Sequence, residues 1–165
     1  MRHQSYQYNG KQHDCTERIA AIQKQVQSIT HTIDLDAHAV FDDVSAQIDQ
    51  LQFVSVSFSD PIWVLFSSGT TGKPKALVHG TGHMLLEHLK ALALHQNVCE
   101  GDTYFWYSTT GWMMWNYALG ALLCGGVLCI YDGSPSYPNL KVQWRFASDK
   151  SIVHFGHGAS FFMKV

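Results

Sequence analysis

Charge is scarce in this chain. Asp, Glu, Lys and Arg make up 15% of the 165 residues while aromatics reach 13%, against a usual charged share of about a quarter. A chain so poor in charge and so rich in rings is not a disordered one, and its rings need interior volume or a partner. Net charge is -2, so no global basic field is present to recruit nucleic acid or anionic lipid. No CxxC pair exists among Cys15, Cys99, Cys124 and Cys129, which argues against a disulfide scaffold and a zinc knuckle. The ten histidines contain no HExxH, although His79, His83 and His88 are closely spaced, and no metal site is assigned. The first residues, MRHQSYQYNGKQ, lack the apolar core of a signal peptide, so a reducing cytoplasm is expected.

One long uncharged run is present, from Trp112 to Tyr131. Its length would allow a membrane span. However, Asn116 and Gly120 interrupt it, Gly125-Gly126 breaks it, and Val127 to Tyr131 is β-branched and aromatic. The pattern predicts a buried helix, a glycine turn and a buried strand, with no membrane span.

Composition shifts near residue 55. Residues 1–60 hold eight of the 13 acidic and four of the 11 basic side chains, and all five Trp lie between 63 and 144. Residues 1–52 read as a polar lead-in with one or two helices. Ile19, Ile22, Val26 and Ile29 give the first an apolar stripe over Thr16–Ile29, and a second is expected over Ala37–Leu51. Residues 53–165 alternate strand-like and helix-like runs. Strands are expected at 61–66, 75–79, 104–107, 127–131 and 152–155, and helices at 81–96, 111–124, 140–150 and from 159 onward. Strands apolar on both faces and separated by helices predict an α/β fold with a largely parallel sheet and flanking helices. The strands near 62–66, 104–107, 127–131 and 152–155 are expected to share one sheet.

The segment Ser67-Ser68-Gly69-Thr70-Thr71-Gly72-Lys73-Pro74-Lys75 follows the first of those strands. Gly69 and Gly72 free the backbone to aim successive N–H groups into one concavity. The Ser and Thr hydroxyls add donors, and Lys73 and Lys75 add positive charge. Many donors, little bulk and compensating charge are what a polyphosphate needs. The Walker pattern does not fit, since Pro74 follows the lysine. A hydrophilic surface turn is the alternative reading.

The order F-S-S-G-T-T-G-K-P-K, Phe66 to Lys75, resembles the signature of the adenylate-forming superfamily of acyl-CoA synthetases, adenylation domains and luciferases. The resemblance implies that Ser67, Ser68, Gly69, Thr70, Thr71, Gly72, Lys73 and Lys75 bind the phosphates of ATP while a carboxylate attacks the α-phosphorus. It also implies Mg²⁺ bridging the phosphates and CoA as the second acceptor. Ala76 to Gly80, Leu85 to Leu92, Phe105 to Asn116 and Tyr131 to Pro135 resemble, more narrowly, the acetoacetyl-CoA synthetase family. That family has T-G-W-M-M-W-N where its acetyl- and propionyl-CoA relatives have G-W-V-T-G-H. By position the resemblance makes Trp112, Met113 and Met114 acyl-pocket candidates; ordinary helix core is the alternative for Met113, Met114 and Trp115. Near residue 157 the family reads F-G-T-S-A, whereas here Phe155-Gly156 is followed by His157-Gly158-Ala159.

The resemblance implies a partial N-terminal domain of the superfamily, an incomplete AMP-dependent synthetase/ligase core over 53–165. The adenylation lysine, the Mg²⁺-binding Glu and the ribose-binding Asp would lie downstream, so no catalytic residue is assigned within the chain. The final apolar run, FFMKV, likewise reads as a piece of a larger domain. Three functions remain open: ligation of acetoacetate to CoA, with the remainder of the synthetase as partner; another short-chain acyl-CoA synthetase; or a non-catalytic truncated product that binds nothing or binds a full-length subunit.

Overall fold

The computed structural model describes residues 5–33, 52–67 and 72–164. The chain divides into two compact units, Met1–Val54 and Ser55–Val165.

In the first unit, β1 (Ser5–Tyr8) and β2 (Lys11–Asp14) form an antiparallel hairpin. The turn is Asn9-Gly10, with φ of 53° and 72°, the left-handed pair that a two-residue hairpin turn demands. Tyr6 and His13 stack across it at 5.0 Å. These strands lie in a stretch that composition reads as a helical lead-in, where the Asn-Gly signal is outweighed by polarity. Helix α1 (Thr16–Gln25) follows directly. Asp14 Oδ1 accepts the Thr16 N–H at 2.8 Å, and bonding to Thr16 holds that carboxyl below its ordinary range. The helix is shorter than the expected 16–29. It ends where Val26 donates to the Ile22 carbonyl, and Ile22, Val26 and Ile29 stay exposed. The helix expected over 37–51 lies outside the described residues.

The second unit begins with β3 (Pro61–Ser67) and β4 (Lys75–Gly80), antiparallel and paired with one another. The expectation that the 62–66 strand joins the parallel sheet is therefore corrected: it forms a separate two-stranded sheet. The physical reason is chain length. Residues 68–74 suffice to reverse direction, whereas parallel pairing needs a crossover of a dozen or more residues.

Helix α2 (Thr81–Leu89) leaves β4 without a loop. Its first N–H groups are taken by carbonyls of the turn that precedes β3, Thr81 to Asp60 at 2.8 Å and Gly82 to Phe58 at 2.9 Å. Residues Lys90–His95 continue it as a wider helical turn, in which Gln96 donates to Ala91, five residues back. That widening carries Gln96 to the Tyr117 hydroxyl (2.9 Å) and the Tyr104 hydroxyl (3.1 Å). The single helix expected over 81–96 thus changes its winding where a buried polar network needs a partner.

Strand β5 (Thr103–Trp106) lies between β6 (Val127–Leu128) and β7 (His154–Gly156), parallel to both. Between β5 and β6 run α3 (Met113–Leu119) and a tight 3₁₀ turn, Gly120–Cys124. Gly125, at φ 76°, ends the turn in the left-handed conformation. Helix, glycine stop and strand replace any membrane span over 112–131, and no described helix is long and apolar enough to cross a membrane. Helices α4 (Val142–Asp149) and α5 (Ala159–Phe162) flank β7 in sequence.

Alternation along β5 splits the core. Tyr104 packs with Leu92, Val98, Ala118 and Ala121 from the α2–α3 side. Phe105 meets Phe146 of α4 at 5.3 Å and Phe155 of β7 at 5.2 Å. Both rings are fully buried. A short parallel sheet covered on both faces is the predicted α/β arrangement. At its amino end, His154 Nε2 lies 3.1 Å from Asp102 Oδ2, which also accepts the Cys99 N–H at 2.8 Å.

Two outcomes follow. Gly125→Ala should cost about 1–2 kcal/mol, because an L-residue is strained at positive φ, while Gly111→Ala, open on all sides, should stay within about 0.5 kcal/mol; urea denaturation checks both. His88 is buried between the Trp63 and Tyr117 rings, and burial lowers its pKa against a smaller opposing pull from Glu87. The folded form therefore holds it neutral, while the unfolded chain protonates near 6.5. Stability should be full above pH 6.5 and fall as pH drops from there towards the lowered folded value. His88→Phe should flatten that slope in denaturation measured from pH 7.5 to 5.

Candidate active site

The described phosphate-loop candidates, Ser67, Gly72, Lys73 and Lys75, lie at one end of the β3–β4 pair. Ser67 is the last residue of β3 and pairs in register with Lys75, the first of β4. Gly72 and Lys73 precede β4, exposed, and a side chain at Gly72 would meet nothing within 4 Å. Lys75 is exposed, and among the described residues neither lysine is drawn into an ion pair. Ser68, Gly69, Thr70 and Thr71 lie outside the described residues. The hairpin thus brings Ser67, Lys73 and Lys75 to one open end, where two cations and an uncrowded glycine can face a polyanion.

A second feature lies at the carboxyl ends of the parallel strands, the edge at which open α/β sheets bind ligands. A narrow cleft there is lined by Trp106, Tyr107 and Ser108 leaving β5, by residues 129–131 leaving β6, and by Trp115 and Ala118 of α3. Its walls are largely aromatic and apolar, and its free volume of about 10 Å³ is room for one water. The Tyr107 hydroxyl donates to the Gly133 carbonyl at 3.0 Å, fixing that wall.

The pocket candidates Trp112, Met113 and Met114 stand at the start of α3. Trp112 is 61% and Met113 53% exposed, with Met114 half-buried. Trp112 is the extended residue before the helix, held by its N–H to Thr109 and its carbonyl to Trp115. None of the three lines the cleft, whereas Trp115, one position further on, does. An exposed Trp112 and Met113 do not serve the core of this unit, so the core reading fits Trp115 better than Met113. Sequence reasoning missed Trp115 and Ala118 as cleft residues. Their signal was the i, i+3 spacing on a helix that follows the carboxyl end of a parallel strand.

His157, where the sequence departs from the family pattern, lies just beyond β7. Its ring stacks on Tyr107 at 4.8 Å and on Phe161 at 4.0 Å. Both ring nitrogens are shielded, and neither makes a hydrogen bond among the described residues. Burial lowers its pKa, opposed in part by the Gly158 backbone. Gly156 beside it is pressed against Trp106, where an added Cβ would lie 2.0 Å from the indole.

Known proteins match this arrangement closely. The AMP-binding enzyme family matches residues 6–159. The chain belongs to that family. It is 36% identical over 172 residues to acetoacetyl-CoA synthetase of Danio rerio, an alignment covering 92% of this chain and 26% of that protein. It is 34% identical to acetoacetyl-coenzyme A synthetase of Rhizobium meliloti (strain 1021), over 94% of this chain and 26% of the relative. The solved acetoacetyl-CoA synthetase from Streptomyces lividans superposes with a TM-score of 0.87 at 36% identity, covering 98% of this chain and 26% of that one. The chain spans about a quarter of the length of the relatives it matches. The adenylate-forming fold, with a parallel sheet between helices, is the fold of this AMP-binding segment.

The shielded nitrogens of His157 have only the Gly158 backbone to offset the cost of their burial. His157→Phe keeps the stack and removes both nitrogens. It should leave stability at pH 7 unchanged or raise it by up to about 1–3 kcal/mol, the price of an unmade buried hydrogen bond. Urea midpoints of the two proteins test this.

Proposed function

We propose that the chain is the phosphate-binding and acyl-pocket segment of a cytoplasmic acetoacetate–CoA ligase. The observation that carries this reading is the Phe66–Lys75 run, whose ends Ser67 and Lys75 pair across a hairpin, within a segment 36% identical to a solved acetoacetyl-CoA synthetase. Ser67, Ser68, Gly69, Thr70, Thr71, Gly72, Lys73 and Lys75 hold the β- and γ-phosphates of ATP. The acetoacetate carboxylate attacks the α-phosphorus, and the two lysines stabilise the charge gathering on departing pyrophosphate. The CoA thiol then attacks the acyl carbonyl of the adenylate, AMP leaves, and acetoacetyl-CoA forms. Trp112, Met113 and Met114 shape the acyl side, where unbranched methionines accommodate a ketone-bearing chain.

Mg²⁺ would supply charge neutralisation to the transferring phosphates. Among the described residues no group of three or more His, Cys, Asp or Glu could hold a metal, so no metal ligand in this chain is assigned. Ligation also needs an adenylation lysine that this reading places in the remainder of the synthetase, so residues 1–165 alone release no pyrophosphate. The His157-Gly158 pair, in place of the family's Thr-Ser, favours a second reading in which another short-chain acid is the substrate.

The test is a chimera in which these residues replace the matched segment of the Streptomyces lividans synthetase, assayed by pyrophosphate release. Lys75→Ala should slow adenylation with every acid tried. A lost charge-assisted contact is worth about 1.5–3 kcal/mol, or roughly one to two decades in rate. Met113→Val should instead shift the ratio between acetoacetate and butyrate by about tenfold. Equal losses for all acids would assign Met113 a packing role, and an unchanged rate after removing Lys75 would take it out of the site.

A further inference from the structure

Two cysteines lie on neighbouring backbones at the entry to the parallel sheet. Cys99 begins the turn that leads into β5, and Cys124 ends the 3₁₀ turn that leads into β6. The two lead-ins run side by side. The Gly101 N–H donates to the Gly125 carbonyl at 2.9 Å, and the Val127 N–H donates to the Asp102 carbonyl at 2.8 Å. A Cβ built on Gly125 would stand 3.4 Å from the Glu100 Cα, and one on Gly126 would stand 3.4 Å from Val98 Cγ1. The residues on either side of Cys99 therefore touch the two glycines that follow Cys124. Cys124 itself packs against the buried cluster to which Val98 belongs. Backbones bonded side by side stand about 4.8 Å apart, and a disulfide spans about 4.4–6.8 Å between Cα atoms. Cys129, by contrast, lies past the carboxyl end of β6, where its N–H donates to the Tyr104 carbonyl at 2.8 Å.

The two thiols differ in access. Cys99 is free and exposed, and its Sγ donates to the Asn97 carbonyl at 3.5 Å, a weak bond that one side-chain rotation releases. Cys124 is free and half-buried. Burial pushes its thiol up, and the nearby Cys99 sulfur adds to that rise. The exposed sulfur is thus the one a small oxidant meets first, and the half-buried one stands beside it as a partner. We propose that Cys99 and Cys124 form an oxidation site that takes a peroxide and closes to a reversible intramolecular disulfide. The Cys99 sulfur attacks one peroxide oxygen, the O–O bond breaks, and the thiol proton goes to the departing oxygen. The peroxide is reduced to water or an alcohol, and Cys99 is oxidised to the sulfenic acid. The Cys124 sulfur then attacks the Cys99 sulfur, the S–O bond breaks, and hydroxide leaves with the Cys124 proton as water. The bond encloses β5, Tyr107 and Trp115, so it staples the span that walls the cleft. None of this chemistry depends on the ligase reading.

The test treats the reduced 165-residue chain with hydrogen peroxide, blocks the remaining thiols with an alkylating reagent and maps the product by mass spectrometry. No Lys or Arg lies between residues 91 and 140, so the digest cleaves after aromatic residues such as Tyr104 and Trp115, which separate the two cysteines. The expected product is a cross-linked pair of peptides holding Cys99 and Cys124, separated again by a dithiol reductant. In Cys124→Ser the sulfenic acid on Cys99 has no partner, so the sulfenic-acid reagent dimedone should label Cys99 about fivefold more than in the parent. Cys99→Ser should leave Cys124 open to alkylation after the same treatment.

A Cys99 linked to Cys15 or Cys129, or only to a second chain, overturns the proposal. So does a Cys99 carried on to the sulfinic or sulfonic acid while Cys124 stays alkylated, since Cys124 then fails to reach it. Equal dimedone labelling of the parent and Cys124→Ser has the same consequence. Should Cys124→Ser fail to fold, the parent's own peptides decide the matter: the Cys99–Cys124 cross-link upholds the site, and its absence removes it.

Discussion

Parallel pairing of β5 between β6 and β7 is the constraint on which the second unit depends. Four residues, Thr103 to Trp106, supply both ladders. Because successive side chains point to opposite faces, Tyr104 and Phe105 seed two separate layers, one with α2 and α3 and one with α4 and β7. Each buried ring contributes on the order of 1.5–3 kcal/mol. The pairing also gives the sheet a single carboxyl edge. Trp106, Tyr107 and Ser108 emerge there beside residues 129–131, so the cleft is a consequence of strand direction rather than of any special residue in its wall.

The polar groups buried beside this sheet have two fates. Gln96 receives the Tyr104 hydroxyl and reaches Tyr117, and the winding of the preceding helix widens to bring it there. Desolvation still drives the Tyr104 and Tyr117 hydroxyls towards their neutral forms. His157, at the other end of the sheet, is stacked between two rings with no such partner. Gln143 of α4 shares the second fate, fully buried with both amide atoms unpaired among the described residues. The β3–β4 hairpin is different again, because it keeps its register through pairing while Val64, Phe66 and Val78 stay exposed.

Much of the second unit was legible in the residues. Gly125-Gly126 announced the stop between helix and strand, and the apolar runs around Tyr104 and Phe155 announced strands buried on both faces. The ten-residue run Phe66 to Lys75 was legible as a family signature because the order of its residues carries it without a tertiary partner. Less legible was the cleft: Trp115 and Ala118 read as helix core until strand direction showed which end of α3 faces a ligand edge. The β1–β2 hairpin escaped because polar strands carry no apolar alternation, and only the two residues Asn9 and Gly10 mark it.

The sequence by itself determined the family and most of the elements after residue 55, since periodicity, glycine positions and a ten-residue signature are all local properties. Only the tertiary structure decided pairing. It placed the 61–67 strand with its neighbour and outside the parallel sheet, because a short connection reverses the chain whatever the strand's composition. It separated exposed Trp112 and Met113 from the cleft that Trp115 lines, because a helix turns its side chains by about 100° per residue and packing on the sheet chooses which face is buried. It left His157 between two rings with its nitrogens unpaired, because stacking depends on where β5 and β7 end relative to one another, a distance that no local pattern encodes.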